Sequence, residues 1–220
     1  MFSLKRVLPV TAIAAVAAIA LSACGASTPA EQSSNGTATS AAADQFPVTI
    51  KNIYGNTTID EKPERVTAIG WVNGDTALAL NVVPVGMPTV TWGNNANAST
   101  DWADAKLDEL GAGKGSDTAP ARFDETDGIN YDAIAATEPD VILAAYSGLT
   151  KDEYDKLSKI ADVVGPAVAN YQTPWEQSTE LIGTALGKSA EAKTLVADIE
   201  AKIKAAADNH PNLAGTTFIA

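Results

Sequence analysis

Three aromatic side chains follow segments that have the composition of buried strands. Trp71 and Tyr146 come directly after two of these segments, and Trp92 lies in the loop after a third. Ligands of open parallel sheets dock where the carboxyl ends of the strands meet, so these flat rings could stack there against a bulky ligand. For Trp71 a packing role is the alternative, because tryptophan is often largely buried. Trp102 and Trp175 are predicted to serve in packing.

Arg122 is the one candidate in this region for binding an anionic group. No other arginine lies between Arg65 and the end of the chain, and a guanidinium is well suited to anion recognition. The alternative is a surface arginine that pairs with Asp124 or Glu125, which would contribute little to stability.

The residue types argue against a transition-metal site and offer no catalytic set. His210 is the only histidine and Cys24 the only cysteine, whereas such metal sites use several imidazole or thiolate ligands. The sequence shows no phosphate-binding loop and no Ser-His arrangement. The many carboxylates could form a glycosidase pair, but no spacing singles one out. An envelope lipoprotein enzyme stays open as an alternative.

The first twenty-three residues have the parts of a secretory signal peptide. Lys5 and Arg6 are their only charges, Val7–Leu21 is almost wholly apolar, and small residues follow. The apolar segment, about 15 residues long, is shorter than the roughly 20 that cross a bilayer, which favours a signal over a membrane anchor. Leu21–Cys24 resembles a bacterial lipobox. The resemblance implies that Cys24 is lipidated and becomes the mature N-terminus; an incidental cysteine is the alternative.

The segment after the signal, residues 24–45, is rich in Ala, Ser and Thr. Because it has too few apolar residues to form a core, we predict a flexible tether that precedes a folded part beginning near Phe46. The formal net charge of the chain is −12. Without Lys5 and Arg6, thirteen basic residues face twenty-seven acidic ones, a net charge near −14. This charge argues against a nucleic-acid partner, which would need a basic face.

Strands alternating with short helices predict an α/β fold with a mainly parallel sheet flanked by helices. A hairpin is predicted over Phe46–Ile59, and Met87–Gly128 is predicted to be irregular. Thr150 is a predicted helix cap. Further strands are predicted at Arg65–Ile69, Val82–Gly86, Val141–Ala145, Val163–Val164 and, as a β-type segment, Gly215–Ala220. Helices are predicted at Asp75–Asn81, Asn130–Thr137, Lys151–Ile160, Trp175–Leu186 and Ser189 to about Asn209.

Several segments together resemble the substrate-binding lipoproteins of bacterial iron–siderophore ABC importers. They are Val48–Ile50, Pro63–Val66, Leu78–Gly86, Tyr131–Thr150 and the last helix. The resemblance implies two lobes joined by one long helix. Residues 46–187 would form the N-terminal lobe, 188–210 the inter-lobe helix, and 211–220 the start of a second lobe, so we expect an incomplete sequence. A compact single lobe whose last strand folds back is the alternative.

The resemblance also implies a function. The expected protein binds a ferric siderophore with Trp71, Trp92, Arg122 and Tyr146, needs no cofactor, and delivers its ligand to a membrane permease from the outer face of the cytoplasmic membrane. Asp132 occupies the position of a carboxylate that docks on the permease, although the family usually has Glu there; an ordinary acid at a helix N-terminus is the alternative. A haem or cobalamin receptor of the same architecture is the second candidate.

Overall fold

The computed structural model describes residues 44–217, and Cys24 with the signal and most of the tether lies outside this range. The strands are β1 (Val48–Asn52), β2 (Gly55–Ile59), β3 (Val66–Ala68), β4 (Gly86–Pro88), β5 (Ala121–Phe123), β6 (Val141–Leu143) and β7 (Asp162–Val164). The α-helices are α1 (Asn73–Ala79), α2 (Asp101–Glu109), α3 (Tyr131–Ala136), α4 (Lys151–Leu157), α5 (Trp175–Ala185) and α6 (Ser189–Asp208). A 3₁₀ turn follows at Pro211–Leu213.

Five strands form a parallel sheet in the order β5-β4-β3-β6-β7. Every residue of β3 and β6, at the centre, is buried. Such strands are typical of parallel sheets that helices cover on both faces. From β3 the chain adds β4 and β5 on one side and then returns to add β6 and β7 on the other. The predicted α/β fold with a mainly parallel sheet is therefore confirmed.

Two hydrophobic clusters lie on the two faces of the sheet. The first includes Leu78 of α1, Ile182 of α5 and Leu143 of β6. The second includes Ile134 of α3 and Ile142 of β6. Successive side chains of a strand point to opposite faces, so neighbouring residues of β6 fill different clusters. This burial fixes β6 and hence the point at which the following loop begins.

The predicted hairpin is confirmed as β1 and β2, which pair antiparallel. The hairpin contacts the β7 edge of the sheet through a polar cluster. The hydroxyl of Thr57 donates to the carbonyl of Val163 at 2.6 Å, and the buried Asn52 amide lies 3.2 Å from the hydroxyl of Tyr154. The hairpin therefore closes the sheet edge that lies away from β4 and β5.

Strand β4 begins four residues later than predicted. Asn81 has a left-handed φ of 59°, and the N–H of Val82 still donates to the carbonyl of Ala77 at 2.9 Å. The first part of the apolar segment therefore completes the end of α1 rather than the sheet. The chain reaches the sheet at Val85, whose N–H donates to the carbonyl of Val66 at 2.7 Å. The type of the element was predicted correctly, but its start was not.

The segment 87–128 is not irregular as predicted, because it contains the end of β4 with α2 and β5. The hydroxyl of Thr100 caps α2 by accepting from the N–H of Ala103 at 3.1 Å. Only Ala103 and Leu107 are buried in this helix, so its sequence shows only a weak helical periodicity of apolar residues. The three-residue β5 is too short to show alternation. The other predicted helices and sheet strands lie within three residues of the observed ones, and Thr150 forms the predicted cap of α4.

The long helix α6 is present over 20 residues. Its N-terminal part packs on α5, where Gly183 leaves no room for a side chain against Ala192. From Ala201 to Thr217 every residue is exposed. The β-type segment predicted at Gly215–Ala220 is wrong for its described part, which is a turn followed by irregular chain, and 218–220 lie outside the described residues. Within 44–217, no helix combines the length and hydrophobicity needed to cross a membrane.

We predict that trypsin cleaves at Lys202 and Lys204 before it cleaves at Lys151 and Lys156. All four lysines are exposed in helices, but α4 packs on the sheet through the buried Leu157, whereas α6 has no buried residue beyond Val196. Local opening should therefore cost less in the second half of α6. Timed digestion with mass spectrometry measures the order of cleavage, and simultaneous loss of both helices would contradict the prediction.

Candidate functional site

Trp71 and Tyr146 lie at equivalent positions on neighbouring strands. Ala68 of β3 pairs with Leu143 of β6 in the sheet register, and each aromatic residue follows its strand end by three residues. Trp92 follows Pro88, the end of β4, by four residues. The strands are parallel, so the three residues lie in loops at the same edge of the sheet. As the sequence predicts, Trp71, Trp92 and Tyr146 follow strand ends at one edge of the sheet.

The tryptophans of this edge are not core residues. Trp71 is 70% exposed and Trp92 is 83% exposed, whereas Tyr146 is half-buried. Large exposed aromatic surfaces that converge at one place are typical of interaction sites. The packing alternative for Trp71 is therefore not supported by its position.

A cavity of about 770 Å³, here called the larger cavity, has Trp71 and Tyr146 in its wall. Trp102 and Trp175, which the sequence assigned to packing, also line it and are 50% and 37% exposed. Ser178 lines it as well, and its buried hydroxyl has no hydrogen-bond partner among the described residues. Aromatic walls with a few polar groups are the usual composition of small-molecule sites.

A second cavity of about 290 Å³, here called the smaller cavity, shares Trp71, Val72, Asp75 and Thr100 with the larger one. Trp92 lines this cavity but not the larger one, and Tyr146 lines the larger cavity but not this one. Trp71 lines both. Each of the other two aromatic residues therefore shares one cavity with Trp71.

Two carboxyl side chains line the cavities. Asp75 lines both cavities, and Glu125 lines the smaller one. Burial raises the pKa of both side chains; the positive charge of Arg122 partly offsets the shift of Asp75, and the N–H of Gly70 partly offsets that of Glu125. That N–H donates to Glu125 Oε2 at 2.8 Å, while Oε1 is buried without a partner among residues 44–217.

Arg122 lies beneath the loop that carries Trp92 and lines neither cavity. Its guanidinium donates to the carbonyl of Pro88 at 3.0 Å and to the hydroxyl of Ser99 at 3.1 Å. Burial lowers its pKa, and the negative charge of Asp104 acts in the opposite direction. These two bonds use two of the five N–H donors of the guanidinium. No finding tests a contact between Arg122 and a ligand, so its predicted role as an anion clamp stays a prediction.

The alternative expected for Arg122, pairing with Asp124 or Glu125, is not found. In the described part of the chain Arg122 forms no ion pair within 4.0 Å. Asp124 instead accepts hydrogen bonds from Thr126, and these bonds lower its pKa. The loop after β5 is therefore organised by its own polar groups.

Asp132 is exposed in the first turn of α3, next to Asn130, which caps this helix. The helix begins after the loop that leaves β5, so Asp132 lies toward the edge that carries the aromatic residues. Its docking role stays a prediction. His210 is exposed at the end of α6, and the described residues hold no group of three or more potential metal ligands among His, Cys, Asp and Glu.

Sequence reasoning did not select Asp75, Glu125 or Tyr171. Glu125 follows β5 by two residues, so the rule that selected Trp71 would have selected it if β5 had been recognised. Tyr171 packs edge-to-face on Tyr146, with ring centres 5.5 Å apart. It comes from the loop before α5, and no pattern in that loop signalled the contact.

Comparisons with known proteins agree with this fold. The chain is 40% identical to the iron uptake ABC transporter substrate-binding protein PiaA of Streptococcus pneumoniae, covering 76% of this chain and 53% of that one, with a TM-score of 0.66. PiaA in complex with ferrichrome matches with a TM-score of 0.69 at the same identity and coverage. A periplasmic solute binding protein of Mycobacterium smegmatis is 32% identical over 76% of this chain and 56% of that one, with a TM-score of 0.67.

The chain spans about half the length of these solved structures. A search of curated protein sequences found no match. The family model described as "Periplasmic binding protein" matches residues 68–219, which include every strand of the parallel sheet except the first two residues of β3. The relatives named above are binding proteins by description. This chain belongs to the periplasmic binding protein family.

Proposed function

We propose that this chain captures a ferric siderophore outside the cytoplasmic membrane and delivers it to an ABC permease. The observation that carries the proposal is the group of exposed aromatic residues around Trp71 in a chain 40% identical to PiaA, whose structure is known with ferrichrome. A ferric siderophore is a bulky chelate with a largely organic exterior. Aromatic rings can cover such a surface without replacing the ligands of the iron. This fits a chain whose described residues include no group of three or more His, Cys, Asp or Glu that could hold a metal ion.

The charges of the cavities favour a neutral chelate. A tris-hydroxamate complex of ferric iron is neutral, whereas a tris-catecholate complex is strongly negative. Asp75 and Glu125 line the cavities, and the only arginine near them is held by Pro88 and Ser99. A negative ligand would face these carboxylates at low local dielectric, where repulsion is stronger than in water. We infer that this part of the cleft selects hydroxamate over catecholate chelates.

Delivery of the ligand requires a membrane permease and a means of keeping the protein close to it. Importers of this type work with a membrane permease, and the exposed carboxylate of Asp132 is the proposed contact on this lobe. A lipid on Cys24 would hold the protein at the outer face of the cytoplasmic membrane, and the segment up to residue 45 would give the folded part its reach. Two acyl chains on one cysteine satisfy the usual requirement for stable anchoring.

One prediction from the proposed function concerns the aromatic residues. Ferrichrome should bind saturably, and Trp71→Ala or Tyr146→Ala should each weaken binding about fivefold, because a lost stacking contact costs on the order of 1 kcal/mol. Equilibrium dialysis of the coloured complex measures affinity even without Trp71. Tyr131→Ala is the control for Tyr146→Ala, since Tyr131 is also half-buried but lines neither cavity.

Wild-type affinity in both cavity variants, with unchanged unfolding curves, would exclude these rings from the site. Haem and cobalamin belong in the same dialysis series. Saturation by one of them and not by ferrichrome would replace the siderophore with that ligand.

The next prediction concerns ligand charge. Asp75→Asn and Glu125→Gln should raise affinity for a ferric catecholate on the order of tenfold by removing repulsion, and should leave affinity for neutral ferrichrome almost unchanged. Both substitutions preserve side-chain shape. Asp132→Asn removes an equal charge from an exposed position outside the cavities and serves as the control. Equal gains in all three variants would point to net charge rather than to a site.

A further prediction concerns the anchor. In a bacterium that carries lipoprotein-processing enzymes, Cys24→Ala should move the protein from the membrane fraction to the soluble fraction or block its maturation, since the acylated sulfur is lost. Cys24→Ser tests whether another small polar residue can substitute. Mass spectrometry of the mature N-terminus supplies a second readout. Membrane retention with normal processing and unchanged mass would contradict lipidation.

A further inference from the structure

Asn73 links the two loops that carry Trp71 and Tyr146. It is the first residue of α1, and its side chain is completely buried, at 0% exposure. Its Nδ2 lies 2.8 Å from the carbonyl of Ile69, 3.1 Å from that of Trp71 and 3.0 Å from that of Tyr146. Its Oδ1 accepts from the N–H of Tyr146 at 3.0 Å.

These bonds fix the backbone of both aromatic residues from a single amide. The contact with Tyr146 uses both ends of the amide, one as donor and one as acceptor, and this two-point contact restricts rotation as well as distance. The loops come from β3 and β6 and are 73 residues apart in sequence. Burial strengthens such bonds and makes the loss of any partner costly.

The turn around Trp71 has an unusual backbone conformation. Gly70 and Val72, on either side of Trp71, both have left-handed backbones, with φ of 63° and 57°. Valine rarely adopts this region because its side chain is β-branched. Such a conformation persists where surrounding groups enforce it and is often found at ligand sites. Asn73 enforces it from within the turn, and Glu125 holds Gly70 from the neighbouring loop.

We propose that Asn73 is the positioning residue of this site, a side chain that touches no ligand but sets the relative placement of Trp71 and Tyr146. This inference rests on the proposed function for the identity of the ligand. The positioning role itself rests on the hydrogen bonds of Asn73. Asn73 lines neither cavity, which separates its role from direct contact. Rings held in place before binding lose less freedom when the ligand arrives, so pre-organisation increases affinity.

The test compares two buried asparagines in the full chain. Asn52 is buried in the hairpin, where its amide bonds to Thr57, Tyr54 and Tyr154 and contacts neither cavity. Asn73→Ala and Asn52→Ala should both lower thermal stability. Only Asn73→Ala should speed hydrogen exchange of the Tyr146 amide and broaden or split the ¹⁹F resonance of 5-fluorotryptophan at Trp71, which Trp71→Phe identifies among the four tryptophans.

Ferrichrome affinity at a temperature where all variants are folded should fall about tenfold in Asn73→Ala and less than twofold in Asn52→Ala. Asn73→Asp adds a pH-dependent readout. Its carboxylate keeps the acceptor but repels the three carbonyl oxygens, and protonation restores one donor. The affinity of Asn73→Asp relative to wild type should therefore recover as the pH falls from about 8 to about 5, because burial raises the pKa of a carboxyl. The relative affinity of Asn73→Ala should stay constant.

Two results are decisive in different ways. If wild type binds ferrichrome and Asn73→Ala binds equally well with one sharp Trp71 resonance, the positioning role is refuted while the proposed function stands. If wild type binds no siderophore, the proposed function fails. The ¹⁹F and hydrogen-exchange results then still decide the positioning role, since they need no ligand.

Discussion

The pairing of β3 with β6 is the interaction on which the site depends. These strands contact each other only because the chain leaves β3 for β4 and β5 and then returns to the opposite side. The register Ala68–Leu143 brings two loops that are distant in sequence to the same level. Both strands are completely buried, and a slip by one residue would exchange the side chains that pack in the two hydrophobic clusters. The hydrophobic core therefore sets the spacing of Trp71 and Tyr146 before any contact between their loops forms.

The hydrophobic core does not determine the conformation of each loop. Hydrogen bonds from buried polar groups determine it. The left-handed Val72 costs about 1–3 kcal/mol, and this cost is offset by hydrogen bonds that the amide of Asn73 and the carboxylate of Glu125 make with the turn. Tyr171 supports Tyr146 in a similar way from the side, packed closely over Gly148. The backbones of the loops that carry Trp71 and Tyr146 are therefore fixed by contacts with these neighbouring side chains.

The sequence was sufficient where a single element determines the outcome. Apolar composition located the strands that precede Trp71 and Tyr146, and Thr150 correctly marked the start of a helix. The sequence was insufficient where residues distant along the chain determine the surroundings of a side chain. Arg122 has the right chemistry for an anion, but its surroundings, Pro88 and Ser99, come from a segment predicted to be irregular. Asn73 could not be told from an ordinary turn residue, because its partner Tyr146 lies 73 residues away.

The carboxyls of the cavities link function to stability. Burial raises the pKa of Asp75 and Glu125 in the folded chain above that in the unfolded chain. The folded state then binds protons more tightly, so these groups favour folding at low pH. Their contribution falls as the pH rises through the unfolded pKa toward the folded one, and above that range the ionised groups oppose folding. A fold optimised for stability alone would replace them with neutral residues of similar shape. Their presence beside Trp71 fits our proposal that the charge of the cavity walls selects the ligand.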